Sequence, residues 1–133
     1  MRIVVVEDDA LIAKYLKYVL ERDGGYAVVV TESGDEALQW ARDSATVAVL
    51  VDISLRNTQL NGRHVDGLTL GRILKADEHA SSVPVILATA HAMAGDRERF
   101  LRESGADAFI RKPIADPAEL LSLVADLVSR RQV

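Results

Sequence analysis

The chain carries three adjacent carboxylates directly after a β-branched run. Glu7-Asp8-Asp9 follows residues 3–6, which read Ile-Val-Val-Val and are typical of a strand buried on both faces of a parallel sheet. The C-terminal ends of such strands are where open α/β sheets build their binding sites. Because clustered like charges repel, we expect a cation beside these carboxylates, and a divalent metal is the obvious candidate.

Three later apolar runs also lead into polar side chains. These residues are Asp52, Thr89 and Lys112. Because the C-terminal ends of parallel strands line up along one edge of a sheet, we expect the three side chains to lie close to Glu7 and Asp8. The edge would then combine carboxylates, a hydroxyl and an amine.

The elements that must position this set alternate along the chain. Strands are predicted at residues 3–6, 26–30, 47–51, 84–88 and 106–110. Helices are predicted at 10–21, 34–43, 66–77 and 92–103, with a last helix from 117 onward. Strict alternation predicts an α/β, doubly wound, five-stranded parallel sheet with helices on both faces. Ser33 with Glu36 indicates a capping box, and Asp116-Pro117 indicates the start of the last helix.

Composition limits the class of protein. A chain of 133 residues with 49% hydrophobic residues suits one domain, spanning residues 1–133, with a frayed tail at 129–133. The net charge of −4 argues against non-specific nucleic-acid binding. The absence of cysteine excludes disulfides and thiolate chemistry. No signal peptide or membrane-spanning run is visible, so we expect a cytoplasmic protein without membrane contact.

Four motifs in order resemble the receiver domain of bacterial two-component response regulators. They are the acidic pair after the first strand, Asp52 ending the third, Thr89-Ala90 after the fourth and Lys112-Pro113 after the fifth. Each motif is weak alone, whereas the ordered set is specific and covers essentially the whole chain. The closing stretch AHAMAGDRERF…GADAFIRKPI is similar to stand-alone receivers of the alphaproteobacterial cell-fate type. The resemblance implies the flavodoxin-like (βα)5 fold with strand order 2-1-3-4-5.

The resemblance also implies a metal-assisted phosphoacceptor. Asp52 would be the nucleophile that forms an acyl phosphate. Mg²⁺ would be held by Asp8, by Asp52 and by the backbone carbonyl of Ser54, with Glu7 contributing through a bound water. In the alternative register Asp9 is the second member of the acidic pair, but the family pattern favours Glu7 and Asp8 and leaves Asp9 to cap the first helix.

Further residues take roles in the same scheme. Lys112 would contact a phosphoryl oxygen, aimed inward by a cis bond to Pro113. Thr89 would donate its hydroxyl to the phosphoryl group, and Phe109 would rotate into the space that Thr89 vacates. Ala90 would leave room for the phosphate. Ser54 and His91 flank the site and would tune the rate of hydrolysis, although for His91 a surface loop position is the stronger interpretation.

The loop after Asp52 departs from the family pattern. Receivers normally place a proline soon after the aspartate, but here Leu55 is followed by Arg56. The loop is several residues longer than usual, and its charged or chargeable residues before Asp66 are Arg56, Arg63 and His64. A tolerated surface insertion is the simpler interpretation. The alternative is that Arg56 or Arg63 approaches the phosphoryl group or the donor.

The leading functional hypothesis is a phosphoacceptor switch. A histidine kinase or histidine phosphotransferase would donate the phosphoryl group, and a downstream effector protein would read the result, so the chain would catalyse only its own phosphorylation and dephosphorylation. One alternative is a receiver-fold binding module that works without phosphorylation. Another is a receiver excised from a hybrid kinase, although the initial Met1 favours a complete protein. An aspartate-nucleophile phosphohydrolase is disfavoured because no D-x-D follows the first strand, and a dinucleotide-binding fold is disfavoured because no G-x-G-x-x-G does.

Overall fold

The computed structural model describes residues 1–90 and 92–131. The strands are β1 (Arg2–Val6), β2 (Ala27–Thr31), β3 (Thr46–Asp52), β4 (Gln59–Leu60), β5 (Arg63–His64), β6 (Val85–Thr89) and β7 (Ala108–Arg111). The helices are α1 (Ala10–Arg22), α2 (Gly34–Ala41), α3 (Gly67–Ala76), α4 (Asp96–Ser104) and α5 (Pro117–Arg131). No described helix is both long enough and apolar enough to cross a membrane.

Five parallel strands form the main sheet in the order β2-β1-β3-β6-β7. Because β4 and β5 form a separate antiparallel pair, this order is the predicted 2-1-3-4-5 arrangement. The predicted doubly wound fold is therefore confirmed.

The β-branched strands separate two apolar cores. Alternate residues of β1 face opposite sides: Ile3 and Val5 belong to one buried cluster, and Val4 and Val6 belong to the other. The first cluster includes apolar residues of α1 and α5, whereas the second includes those of α2, α3 and α4. The central strands are thus covered on both faces, which explains why they read as continuous hydrophobic runs.

Several predicted boundaries were wrong by a few residues. The helix predicted at 92–103 begins only at Asp96, because Gly95 has a φ of 86° and the Asp96 carboxylate accepts a hydrogen bond from the Met93 N–H. The strand predicted at 106–110 begins at Ala108, because Asp107 is held in the preceding turn, where its carboxylate accepts from the Val85 N–H. Helix α5 ends at Arg131. The expected fraying of residues 129–133 stays a prediction, and residues 132 and 133 lie outside the described residues.

The predicted helix starts are set by side-chain caps. Asp9 accepts from the N–H groups of the two residues Leu11 and Ile12, at 3.0 and 3.1 Å. Ser33 accepts from the Glu36 N–H, which is half of the predicted capping box. The reciprocal half was wrong: the Ser33 N–H donates to the Thr31 hydroxyl, which in turn donates to the Glu36 carboxylate.

The long loop after β3 contains a hairpin that we did not predict. Asn61 and Gly62 join β4 to β5 with φ values of 53° and 78°, which is the geometry of a two-residue type I′ connection. The Asn61 N–H donates to Asp35, and Leu60 is buried against the second core. The insertion is therefore folded onto the domain, and the Asn-Gly pair was the sequence signal for it.

Candidate active site

The register of the sheet brings the predicted site residues to one edge. Val6 of β1 pairs with Val51 of β3, and Asp52 pairs with Ala88 of β6. The Lys112 N–H donates to the carbonyl of Thr89 at 2.8 Å, which holds the end of β7 against β6. Residues that follow these strands must therefore lie side by side, as the sequence predicts.

Helix α3 packs tightly against the same edge. The Gly67 N–H donates to the carbonyl of Ile53 at 3.0 Å, and a Cβ placed on Gly67 would overlap the carbonyl oxygen of Asp52. Only glycine allows this close approach. The contact between Gly67 and the Asp52–Ile53 backbone fixes the position from which the Asp52 side chain extends.

A cleft of about 380 Å³ opens at this edge. It is lined by Glu7, Asp8, Asp9, Ile12, Asp52, Ser54, Arg56, Asn57, Ala90 and Lys112. Of the two arginines considered for the phosphoryl group, Arg56 lines the cleft, whereas Arg63 lies in β5 outside its lining.

Three carboxylates converge in the cleft. One oxygen from each of Glu7, Asp8 and Asp52 lies within 4.8 Å of the others. Glu7 is only 3% exposed and Asp52 only 6% exposed, so solvent screens their charges poorly. Carboxylate oxygens at this spacing fit a small hard cation such as Mg²⁺, which takes oxygen ligands and keeps several waters.

Lys112 provides a positive charge among these carboxylates. Its Nζ lies 2.8 Å from Glu7 Oε1 and 3.3 Å from Asp52 Oδ1. Burial of the ammonium lowers its pKa, but the hydrogen bond to Glu7 and the charges of Asp52 and Glu7 outweigh burial, so the pKa of Lys112 lies above its usual value. Lys112 therefore stays charged at neutral pH.

The same crowding acts on Glu7 in the opposite sense. Burial raises the pKa of Glu7 from 4.5 to about 7, and a hydrogen bond with Asp52 adds to the rise, whereas Lys112 opposes it. In the metal-free protein Glu7 is thus partly protonated near neutral pH. A divalent cation would replace that proton.

The proton on Glu7 predicts that part of the stability falls as pH rises, which is the opposite of what a carboxyl group with a lowered pKa contributes. Between pH 4.5 and about 7 the folded state binds a proton on Glu7 that the unfolded state has lost, so the stabilisation from Glu7 is lost as pH rises through this window. As pH rises across this window, the free energy of unfolding of the wild type should therefore fall relative to that of Glu7→Gln, by at most about 3 kcal/mol. Urea unfolding in EDTA at several pH values measures the difference, and a pH-independent difference would contradict the assignment.

The acidic trio divides between two tasks. Asp9 caps α1 with its carboxylate, whereas Asp8 groups with Glu7 and Asp52. Asp8 Oδ2 accepts from the N–H groups of Arg56 at 2.7 Å and Asn57 at 3.3 Å. This placement favours the Glu7–Asp8 register over the register that includes Asp9.

The remaining predicted residues lie around the cleft. Thr89 ends β6 and is 1% exposed, and Ala90 lines the opening. The Ser54 N–H donates to Asp52 Oδ1 at 3.1 Å. The peptide bond between Lys112 and Pro113 is cis, as the resemblance implies.

The predicted switch aromatic lies beside α4. Phe109 is partly buried against the second core, and its ring centroid lies 6.2 Å from that of Phe100. Its switching role stays a prediction. His91, expected to flank the site, lies outside the described residues.

Sequence reasoning missed how the loop contacts the acidic pair. Arg56 was singled out for its guanidinium, but the structure shows its backbone N–H, with that of Asn57, bound to Asp8. No residue-type signal identifies such a contact, because any residue except proline can donate it.

Comparison with known proteins decides the family. The family model described as the response regulator receiver domain matches residues 3–125. The chain belongs to the response regulator receiver family. The receiver is 40% identical over 115 residues to the polar-differentiation response regulator DivK of Brucella ovis, with 86% of each chain covered. It is 38% identical over the same length to DivK of Brucella anthropi.

Solved structures agree with this assignment. The receiver domain of a sensor histidine kinase from Pseudomonas aeruginosa is 30% identical and superposes with a TM-score of 0.79, covering 96% of this receiver and 97% of that chain. That structure holds a magnesium ion in its active site cleft. A response regulator from Chloroflexus aurantiacus is 28% identical with a TM-score of 0.81, covering 97% of this receiver and 98% of that chain.

Proposed function

We propose that this receiver accepts a phosphoryl group on Asp52 from a phosphohistidine donor in a Mg²⁺-dependent reaction. The observation that carries the proposal is the surroundings of Asp52, a buried carboxylate whose Oδ1 lies 3.3 Å from the Lys112 ammonium and which has one oxygen within 4.8 Å of oxygens of Glu7 and Asp8. A carboxylate so placed is a nucleophile beside groups that can receive the charge of a phosphoryl group.

The transfer exchanges one bond to phosphorus for another. An oxygen of Asp52 attacks the phosphorus of the phosphohistidine, the P–N bond breaks, and the imidazole of the donor leaves and takes up a proton. In hydrolysis a water molecule attacks the phosphorus of the acyl phosphate, the bond to Asp52 breaks, and inorganic phosphate leaves. The domain catalyses only these steps on itself.

Metal binding is supported by the chemistry of the donor set. Asp8, Asp52 and the Ser54 carbonyl would hold Mg²⁺, with Glu7 acting through a water. When bound, Mg²⁺ would neutralise charge on the phosphoryl oxygens and offset their repulsion by Asp52. The magnesium ion held by the homologous receiver from Pseudomonas aeruginosa supports the same assignment.

Lys112 and Thr89 would bind the transferred group. The Lys112 ammonium lies 3.3 Å from Asp52 Oδ1, so it can move onto a phosphoryl oxygen with a small displacement. Thr89 ends the neighbouring strand and would offer its hydroxyl to a second oxygen. Movement of Thr89 would free space for Phe109, which would change the surface around α4 for a downstream effector.

An apolar groove beside the cleft supports docking of a protein donor. The groove measures about 450 Å³ and is lined by Leu11, Ile12, Tyr15, Leu16, Ala90, Lys112, Pro113 and Ile114. Leu11 is 80% exposed and Tyr15 is 41% exposed, so α1 presents large apolar side chains next to Lys112. A helical domain of a histidine kinase or histidine phosphotransferase suits this surface, and such donors imply a cytoplasmic location.

Phosphoramidate tests the proposal because it carries the P–N bond of the natural donor class. With Mg²⁺, intact-mass spectrometry of the receiver should show the gain of one phosphoryl group, and EDTA should prevent it. A receiver-fold binding module that works without phosphorylation predicts no gain under either condition. That result would overturn the proposed function.

A further inference from the structure

The loop between β3 and β4 reaches the cleft and binds Asp8 through its backbone. The N–H groups of Arg56 and Asn57 both donate to Asp8 Oδ2, at 2.7 and 3.3 Å. Among the described residues none donates a hydrogen bond to Asp8 Oδ1. The loop therefore holds one oxygen of this carboxylate and leaves the other for a cation.

The contact depends on the residue type at one position. Proline has no backbone N–H, so a proline at position 56 would remove the shorter of the two hydrogen bonds. Receivers normally carry a proline in this part of the loop, whereas this chain has Arg56. The group that matters is the backbone N–H, so the Arg56 side chain is dispensable for this contact.

The loop that presents these groups is anchored at both ends of the hairpin. Leu55, Leu60 and Val65 are buried against the second core. The Val65 N–H donates to the Thr58 carbonyl at 3.0 Å, and the Asn61 N–H donates to both oxygens of Asp35. The N–H groups at 56 and 57 are thus presented by an ordered element, which is what a positioning role requires.

We propose that the backbone of Arg56 and Asn57 is a positioning element for the metal site. It fixes the carboxylate of Asp8 through Oδ2, so that Oδ1 is already oriented when a divalent cation enters. Groups that hydrogen-bond to metal-binding carboxylates in this way raise metal affinity by restricting the ligand. This inference rests on the proposed binding of Mg²⁺ by Glu7, Asp8 and Asp52.

Two substitutions at one position separate the backbone from the side chain. Arg56→Ala keeps the N–H and removes the guanidinium, whereas Arg56→Pro removes both. Isothermal titration with Mg²⁺ alone should give a Kd about 10-fold weaker for Arg56→Pro than for Arg56→Ala. Because both variants lack the guanidinium, the difference between them reports the backbone N–H. Equal affinities for the alanine and proline variants would overturn the inference, and failure of the wild type to bind Mg²⁺ would overturn the proposed function along with it.

A second measurement does not depend on the fold of the proline variant. Nuclear magnetic resonance of metal-free wild-type protein should show the Arg56 amide proton protected from exchange and coupled to the carboxylate carbon of Asp8. Asp8→Ala should remove that protection without unfolding β4 and β5. An Arg56 amide that exchanges equally fast in both proteins would overturn the inference.

Discussion

Asp52→Asn should abolish incorporation of a phosphoryl group while leaving the domain folded. Asparagine keeps the size of the side chain but lacks the anionic oxygen that attacks phosphorus. We do not expect the other carboxylates of the cleft to replace it, because each is held by hydrogen bonds of its own: Glu7 with Lys112 and the Asp8 and Asp9 N–H groups, Asp8 with the loop and Asp9 with α1. Intact-mass spectrometry after treatment with phosphoramidate and Mg²⁺ measures the loss.

The acidic trio supplies a matched control for this variant. Asp9→Asn removes a carboxylate from the same cluster, but Asp9 caps α1 and is bound to the Leu11 and Ile12 N–H groups. Asparagine is also a good N-cap, so this variant should be phosphorylated at close to the wild-type rate. Phosphorylation of Asp52→Asn at the wild-type level would show that another residue is the acceptor.

Lys112→Gln should slow phosphorylation by about 100-fold or more, because an ammonium that meets the developing charge is worth several kcal/mol in a buried site. The Lys112 Nζ contacts both Glu7 and Asp52, and its side chain is 9% exposed. Quench-flow or mass-spectrometric time courses with phosphoramidate and saturating Mg²⁺ measure the rate.

The same substitution should destabilise the metal-free protein more at alkaline than at acidic pH. Without the ammonium, ionised Glu7 and Asp52 repel each other, but a proton on Glu7 relieves the repulsion at low pH.

Lys75→Gln is the control for the phosphorylation rate of Lys112→Gln, since Lys75 pairs with Asp107 at 2.9 Å outside the lining of the cleft. An equal rate for both lysine variants would contradict the role assigned to Lys112.

The order of the sheet and the edge that carries the site could be predicted from the sequence because both follow from simple rules. Buried parallel strands read as β-branched runs, and their C-terminal ends must align. The positions of Asp52, Thr89 and Lys112 relative to Glu7 follow from that alignment alone. The division of labour between Asp8 and Asp9 was favoured from the family pattern and agrees with the cap on α1.

The parts that were not predicted depend on non-local contacts. The hairpin of β4 and β5 is only two residues per strand, too short for a periodic signal, and its stability comes from Leu60 in the second core and from Asp35. The raised pKa of Glu7 needs burial and a neighbouring carboxylate 45 positions away. The bond from the Arg56 N–H to Asp8 spans 48 positions and involves no special residue type.

The role of Asp52 as phosphoacceptor is tested most directly by locating the phosphoryl group on the wild-type protein. Borohydride reduces an aspartyl phosphate to homoserine, and peptide mapping after treatment with phosphoramidate and Mg²⁺ identifies the residue converted. If Asp52 is the phosphoacceptor, homoserine should replace Asp52 and no other residue, with no conversion in EDTA. Conversion at Asp8 or Asp9, or at no residue, would contradict the claim that Asp52 is the phosphoacceptor of this domain.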